Sequence, residues 1–183
     1  AWPYVARLMS ISVGTSPAWT GLGPLVGISA LYHDEDKREA LNDQRFTTLR
    51  TFGRLQGFYV TLGRLMAPLG SDFRKIQSLR VINKVMRLVY DFLLNYVEDK
   101  VKVDGATGRI LESQARAIEL PMVTGIQTAL GDDITEPRVQ IDRTVNLLAP
   151  GAYMLCKTAI VPVAYAEQIK FTIGLLNPAT EVA

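Results

Sequence analysis

Ser71–Lys100 reads SDFRKIQSLRVINKVMRLVYDFLLNYVEDK, and its pattern decides the fold. Leu79, Ile82, Met86, Val89, Leu93 and Val97 recur at helical spacing, and Ser71 is a suitable cap for the start, so the stretch predicts one long amphipathic helix. After it, Val101–Asp104 alternates like a brief strand, and Asp104-Gly105-Ala106-Thr107-Gly108 is turn chemistry. A second helix is expected from about Ile110 to Leu130, with Ala115, Ile118, Met122 and Ile126 on one side and Pro121 bending or breaking it.

Outward from these helices the chain is strand-like. Thr47–Phe52 and Phe58–Leu62 are divided by Gly53 and Gly57, as in a hairpin with a longer loop. Arg138–Leu147 and Tyr153–Val163 follow the helices, the latter with Leu155, Ala159, Val161 and Val163 on one face, interrupted by Lys157. In Gln168–Leu175, Ile169, Phe171, Ile173 and Leu175 alternate with polar or small residues. The expected class is α+β, a small mixed sheet packed on two long helices. So few strands cover themselves poorly, and strands from neighbouring subunits would complete the layer. A terminal alternating strand can stay in its own sheet or pair with a neighbour's edge.

The first third is organised differently. Residues 3–12 fit a short helix, and no charged residue occurs from Leu8 to Tyr32. Gly14, Pro17, Gly21, Gly23, Pro24 and Gly27 punctuate that stretch, which favours a buried or interface-covered loop over a membrane span. The polar run from His33 to Glu39 leads into a short solvated helix over Leu41–Gln44 and marks a soft boundary. The expected division is therefore residues 1–33 as the end of a preceding domain, 34–166 as an assembly domain and 167–183 as a C-terminal arm.

Composition narrows the chemistry. Twenty basic against 18 acidic residues leave a formal charge of +2, too even for a dedicated nucleic-acid or membrane-surface binder. The lone cysteine, Cys156, excludes an internal disulfide. His33 is the only histidine and lies in an acidic run, where it reads as a surface residue; with Asp34 and Asp36 it makes no closed metal site. Asp132-Asp133 lacks the spacing of a calcium loop, and the glycines at 21, 23 and 27 do not follow a strand as a phosphate cradle would. No enzyme activity, cofactor or metal is expected.

One charged cluster stands out. Arg80, Lys84 and Arg87 fall on one helical stripe, with Arg74 and Lys75 just before it. The plain reading is a solvated face balanced by Asp91 and Glu98; the functional reading is docking to an acidic surface, protein or nucleic acid.

Five phrases in order point to a family. Phe46-Thr47-Thr48-Leu49-Arg50-Thr51-Phe52 with Gly57-Phe58-Tyr59-Val60 comes first, then Arg64 to Phe73 with Arg80 to Val85. Val101 to Ile110, Val139 to Leu148 and Ile173 to Pro178 follow. From about Leu31 to Pro178 the chain resembles the C-terminal region of contractile tail sheath proteins of phages and phage-tail-like particles. Sheath subunits are longer than this chain, so the resemblance implies a further N-terminal portion. It also implies a hollow sheath of stacked hexameric rings around a tail tube, contracting to drive the tube through a bacterial envelope. The implied partners are copies of itself, the tail tube protein, and baseplate and tail terminator proteins, with no membrane insertion or direct nucleic-acid binding. The implied location is the virion tail, assembled in the host bacterial cytoplasm. Arg74, Lys75, Arg80, Lys84 and Arg87 are the expected tube-docking face, and Ile169, Phe171, Ile173 and Leu175 the expected intersubunit strand. A basic-helix nucleic-acid-binding module is the alternative.

Overall fold

Hydrophobic spacing, turn chemistry and a few long-range hydrogen bonds settle the chain into helices flanked by small sheets. A computed structural model describes residues 2–31, 37–68, 70–167 and 169–170. Its helices are α1 (Trp2–Ser10), α2 (Arg38–Asp43), α3 (Ile76–Leu94) and α4 (Glu112–Leu130); its strands are β1 (Leu49–Phe52), β2 (Leu55–Val60), β3 (Ile134–Ile141) and β4 (Cys156–Pro162). The class is α+β, as expected. In place of one mixed sheet, the described strands form two antiparallel pairs, β1–β2 and β3–β4. Each strand pairs with its neighbour in sequence, and such pairs run antiparallel unless a crossover intervenes.

The first pair closes more tightly than its two glycines suggested. Phe52 faces Leu55 in the register, so Gly53 and Arg54 alone make the turn, and Gly57 lies within β2. The uncharged N-terminal stretch packs against this hairpin: Leu25 is buried and its N–H donates to the Phe58 carbonyl at 2.8 Å. From α1, Arg7 donates to the carbonyls of Gly23 and Pro24, at 3.0 and 2.6 Å, so one guanidinium satisfies two loop acceptors.

The long helix is shorter than its sequence signal. Ser71 does not cap it; its Oγ accepts from the Phe73 N–H at 3.2 Å, and Lys75 occupies the cap position in an extended conformation. Lys75 is held extended where residues 74–76 pair with 63–65, through Leu65 N–H to Arg74 O at 2.8 Å and Ile76 N–H to Gly63 O at 2.9 Å. That ladder competes with the first helical turn. At the far end α3 gives way to turns, with Glu98 at φ 61°. The second helix ends within a residue or two of expectation and remains helical through Pro121, which lies on its exposed side.

The core is one surface of α3 and α4 closed by β3 and β4. Val81, Val85, Ile126, Leu130 and Ile134 form one cluster; Ile110, Ala115, Ile118, Met122 and Ile141 form another. Val89 and Val139 touch both and join them. The face expected on α4 is thus the buried one. On α3 the expected stripe was right in part: Val89 and Leu93 pack on the core, but the buried residues are Val81 and Val85, whereas Met86 and Val97 are 63% and 67% exposed. On β4 the core packs against the face opposite the one carrying Leu155, Ala159 and Val161, since Cys156 and Ile160 pack on the core while Lys157 and Ala159 are exposed. A strand cannot bury Lys157 without its partner-facing set turning outward, so the charge selects the even-numbered residues.

Candidate assembly surface

The first turns of α3 bring most of the expected basic face into use within the chain itself. Arg80 Nη1 and Nη2 donate to the carbonyls of Ser12 and Ile11 at 3.2 and 3.1 Å. Lys84 Nζ donates to the Ala129 carbonyl at 2.7 Å, in the last turn of α4, where carbonyls lack helical partners and carry the negative end of the dipole. Lys75 Nζ lies 2.5 Å from a Glu167 carboxylate oxygen and 5.3 Å from the Tyr165 ring centroid. Arg74 and Arg87 are exposed. The five residues therefore do not form one open basic stripe: Arg80 and Lys84 staple α3 to the N-terminal loop and to α4, and Lys75 holds the segment leaving β4.

The outer face of α3 is apolar instead. Met86, Tyr90 and Leu94 follow one another at spacings of four residues, Val97 continues the line in the turn just past the helix end, and each is at least 49% exposed. Sequence periodicity missed this face because an amphipathic pattern with apolar residues on two sides does not say which side is covered.

The second feature is the open edge of the β3–β4 pair. Each strand has one partner, from Ile134 opposite Pro162 to Ile141 opposite Cys156, so one side of each backbone has no ladder partner among the described residues. β3 carries Pro137 in its interior, with no N–H to donate, whereas β4 has its proline only at the last position. β4 is the better template for another strand. Alongside its end, a cleft of about 720 Å³ opens against the first turns of α3, lined by Phe73, Ser78, Val81, Ile82, Ile160 and Tyr165 among others.

Residues 163–167 cross this end of the molecule. The Tyr165 hydroxyl donates to the Gly14 carbonyl, and Lys75 depresses the Glu167 carboxyl below the usual carboxylate range, chiefly by hydrogen bonding. Ile169 is 81% exposed. Phe171, Ile173 and Leu175, with the rest of the expected intersubunit strand, lie outside the described residues, as do His33, Asp34 and Asp36.

Behind β3, an ion-pair network fixes the sheet to α4. Arg143 donates twice to Glu119, at 2.9 Å each, and also bonds Glu112, which in turn accepts from Arg116 at 2.7 Å. Hydrogen bonds from Arg143 and then Arg116 hold the Glu112 carboxyl low, and hydrogen bonding to Glu119 first and then Glu112 pushes the Arg143 guanidinium up. Among the described residues no group of three or more His, Cys, Asp or Glu side chains is placed to hold a metal ion. Asp133 accepts from Ser12 Oγ at 2.8 Å, which ties the N-terminal loop to the end of α4. The Cys156 thiol is pushed up by burial and packs as a small apolar group beside the second core cluster. No helix among the described residues is long and apolar enough to cross a membrane.

Residues 72–180, which hold α3, α4, β3, β4 and the basic cluster, match the C-terminal domain of DUF2586, and residues 1–64 match the DUF2586 N-terminal domain. The chain belongs to the DUF2586 family. No curated protein matches it. Among solved structures, this DUF2586 chain superposes on a chain of the PVC sheath complex in its contracted state, an extracellular contractile injection system. The TM-score is 0.63 at 16% identity, over 94% of this chain and 48% of that one. A chain of the anti-feeding prophage (AFP) baseplate matches with a TM-score of 0.63 at 15% identity, again over 94% and 48%. The sheath-like fold expected from the five phrases is thus observed, and the chain spans about half the length of the chains it matches.

Proposed function

We propose that this chain is the structural subunit of a contractile tail sheath. It polymerises as stacked hexameric rings around a tail tube and shortens to drive that tube through a bacterial envelope. The observation that carries the reading is the fold shared, over nearly the whole chain, with a chain of a contractile injection system's sheath complex. The chain's own surface agrees with it. The open edge of β4 and the adjoining cleft suit an extended strand from a neighbour, and backbone ladders of that kind persist while rigid bodies rotate during a transition. Gln168–Leu175 is the segment this reading assigns to the reciprocal donation, to a neighbouring β4.

In this reading the chain carries no enzyme activity and works through copies of itself, a tail tube, and baseplate and terminator proteins. The particle forms in the bacterial cytoplasm. Tube contact falls to the exposed part of α3, where Arg87 adjoins the apolar face. Negative-stain electron microscopy of the full-length protein, alone and with its tail tube protein, tests the proposal. Hollow striated cylinders are expected; monodisperse monomers in both samples would reject it.

A further inference from the structure

Charge is segregated along α3. Beside its N-terminal end, a small pocket of about 120 Å³ is lined by Arg45, Arg64, Arg74, Lys75 and Glu167, four cations to one carboxylate. Glu167 pairs with Lys75, and Arg64 donates to the Asn42 carbonyl at 3.3 Å. The guanidinium groups of Arg45 and Arg74 make no hydrogen bond or ion pair with any described residue. The pocket already accommodates a carboxylate from its own chain and has charge for more. At the opposite end of the helix, Glu98 and Asp99 are exposed in the turn that follows α3. From Asp91 to Asp104, four carboxylates outnumber the two lysines, Lys100 and Lys102. Nineteen helical residues separate the two ends by about 28 Å, several screening lengths in physiological salt, so the acidic turn cannot neutralise its own chain's pocket.

We infer that the Arg45–Arg64–Arg74–Lys75 pocket receives the Glu98–Asp99 turn of a second copy. The contact is heterologous: each subunit offers its basic end to one neighbour and its acidic end to another. Contacts of that type propagate into rings or helical filaments and do not stop at a dimer. A protein carboxylate is the favoured occupant because Glu167 shows that the pocket accepts one. The inference rests on the assembly reading above and names one contact within it. Complementary ends steer encounter and fix register more than they add affinity, so the polymer should form most readily at low salt.

Charge reversal tests it without the tube protein. Arg45→Glu with Arg74→Glu makes one full-length variant, and Glu98→Lys with Asp99→Lys makes the other. Each alone should need at least about a tenfold higher concentration than wild type to polymerise, since like charges then face one another across the contact. An equal mixture of the two should recover polymer, because each variant's ends complement the other's. Polymerisation of either variant at the wild-type concentration would overturn the inference, as would a mixture of folded variants that stays unassembled. If the glutamate variant does not fold, Arg45→Gln with Arg74→Gln serves: it should lose much of the salt dependence of polymerisation, and an unchanged salt dependence overturns the contact. Wild-type protein that never polymerises would overturn the underlying assembly reading, and this contact with it.

Discussion

Arg143 and Glu119 meet through two parallel hydrogen bonds of 2.9 Å each, joining the segment after β3 to the middle of α4. The same guanidinium donates to the Ile141 carbonyl at 2.8 Å, and Glu119 accepts from the Ile141 N–H at 2.7 Å. Two side chains thus hold both polar groups of the last residue of β3, whose side chain is buried. Removing Arg143 leaves the largely buried Glu119 carboxylate with the Ile141 N–H but without its ion pair. Arg143→Ala should lower unfolding stability by about 1–2 kcal/mol in urea titrations. Arg143→Lys should recover only part of the loss, because an ammonium cannot match the carboxylate at two points.

Acid should weaken the same region. The Glu112 carboxyl is held below its ordinary range by Arg143 and Arg116, Asp104 by Thr107, and Asp142 by Thr144. A carboxyl depressed in the folded chain takes up its proton more readily in the unfolded one. Its stabilisation is therefore present above the ordinary carboxylate range, near pH 4, and is lost as pH falls through the folded value. Melting temperature should drop from pH 5 to pH 3, and the slope should be shallower in Arg143→Met. An identical slope in that variant would remove the network from the account.

The core clusters make a sharper contrast on one helix. Ile118 and Met122 are 1% and 2% exposed on α4, whereas Leu120 between them is 69% exposed. Ile118→Ala or Met122→Ala should cost about 2–4 kcal/mol in chemical denaturation, and Leu120→Ala less than about 0.5 kcal/mol. Equal losses at all three would mean that α4 is covered on both sides in the isolated chain.

Gly108 is a backbone test. It sits at φ 66°, its N–H donates to Asp104 O and its carbonyl accepts from Leu147 N–H, and a Cβ there would collide with the Asn146 side-chain amide. Gly108→Ala should destabilise by at least about 1 kcal/mol, from left-handed strain before any clash. Gly105→Ala, where a Cβ meets open space, should be nearly neutral.

The basic residues of α3 should separate into two kinds. Arg80→Met and Lys84→Met should each lower stability by about 1 kcal/mol, since the first removes the side-chain donor to the Ile11 carbonyl and one of two donors to the Ser12 carbonyl, and the second the side-chain donor to the Ala129 carbonyl. Arg87→Glu should leave the melting temperature unchanged and weaken attachment of extended sheath to the tube in co-sedimentation. If Arg87→Glu binds tube normally, tube docking lies elsewhere.

The terminal segment is tested by truncation. Removing residues 167–183 should abolish sheath formation in electron micrographs while leaving soluble protein, whereas normal cylinders would reject the strand-donation role.

The amino-acid sequence by itself determined the class of the fold and the buried face of α4. Four apolar residues, Ala115, Ile118, Met122 and Ile126, admit one covered side at a spacing of three or four. Turn residues likewise placed the β1–β2 hairpin, because Gly53 interrupts two runs of strand formers. Tertiary structure decided what local pattern leaves degenerate. α3 has apolar residues on two sides, and only packing against α4 and β3 selects Val81 and Val85 over Met86 and Val97. Its start moves from Ser71 to Ile76 because a ladder with residues 63–65, distant from any helical period, captures the backbone first. The basic residues show the same limit: charge and spacing place Arg80, Lys84 and Arg87 on one stripe, but which cations remain open depends on carbonyls at Ile11, Ser12 and Ala129, brought near only by the fold. Periodicity records which residues share a side; contact between distant segments determines what that side meets.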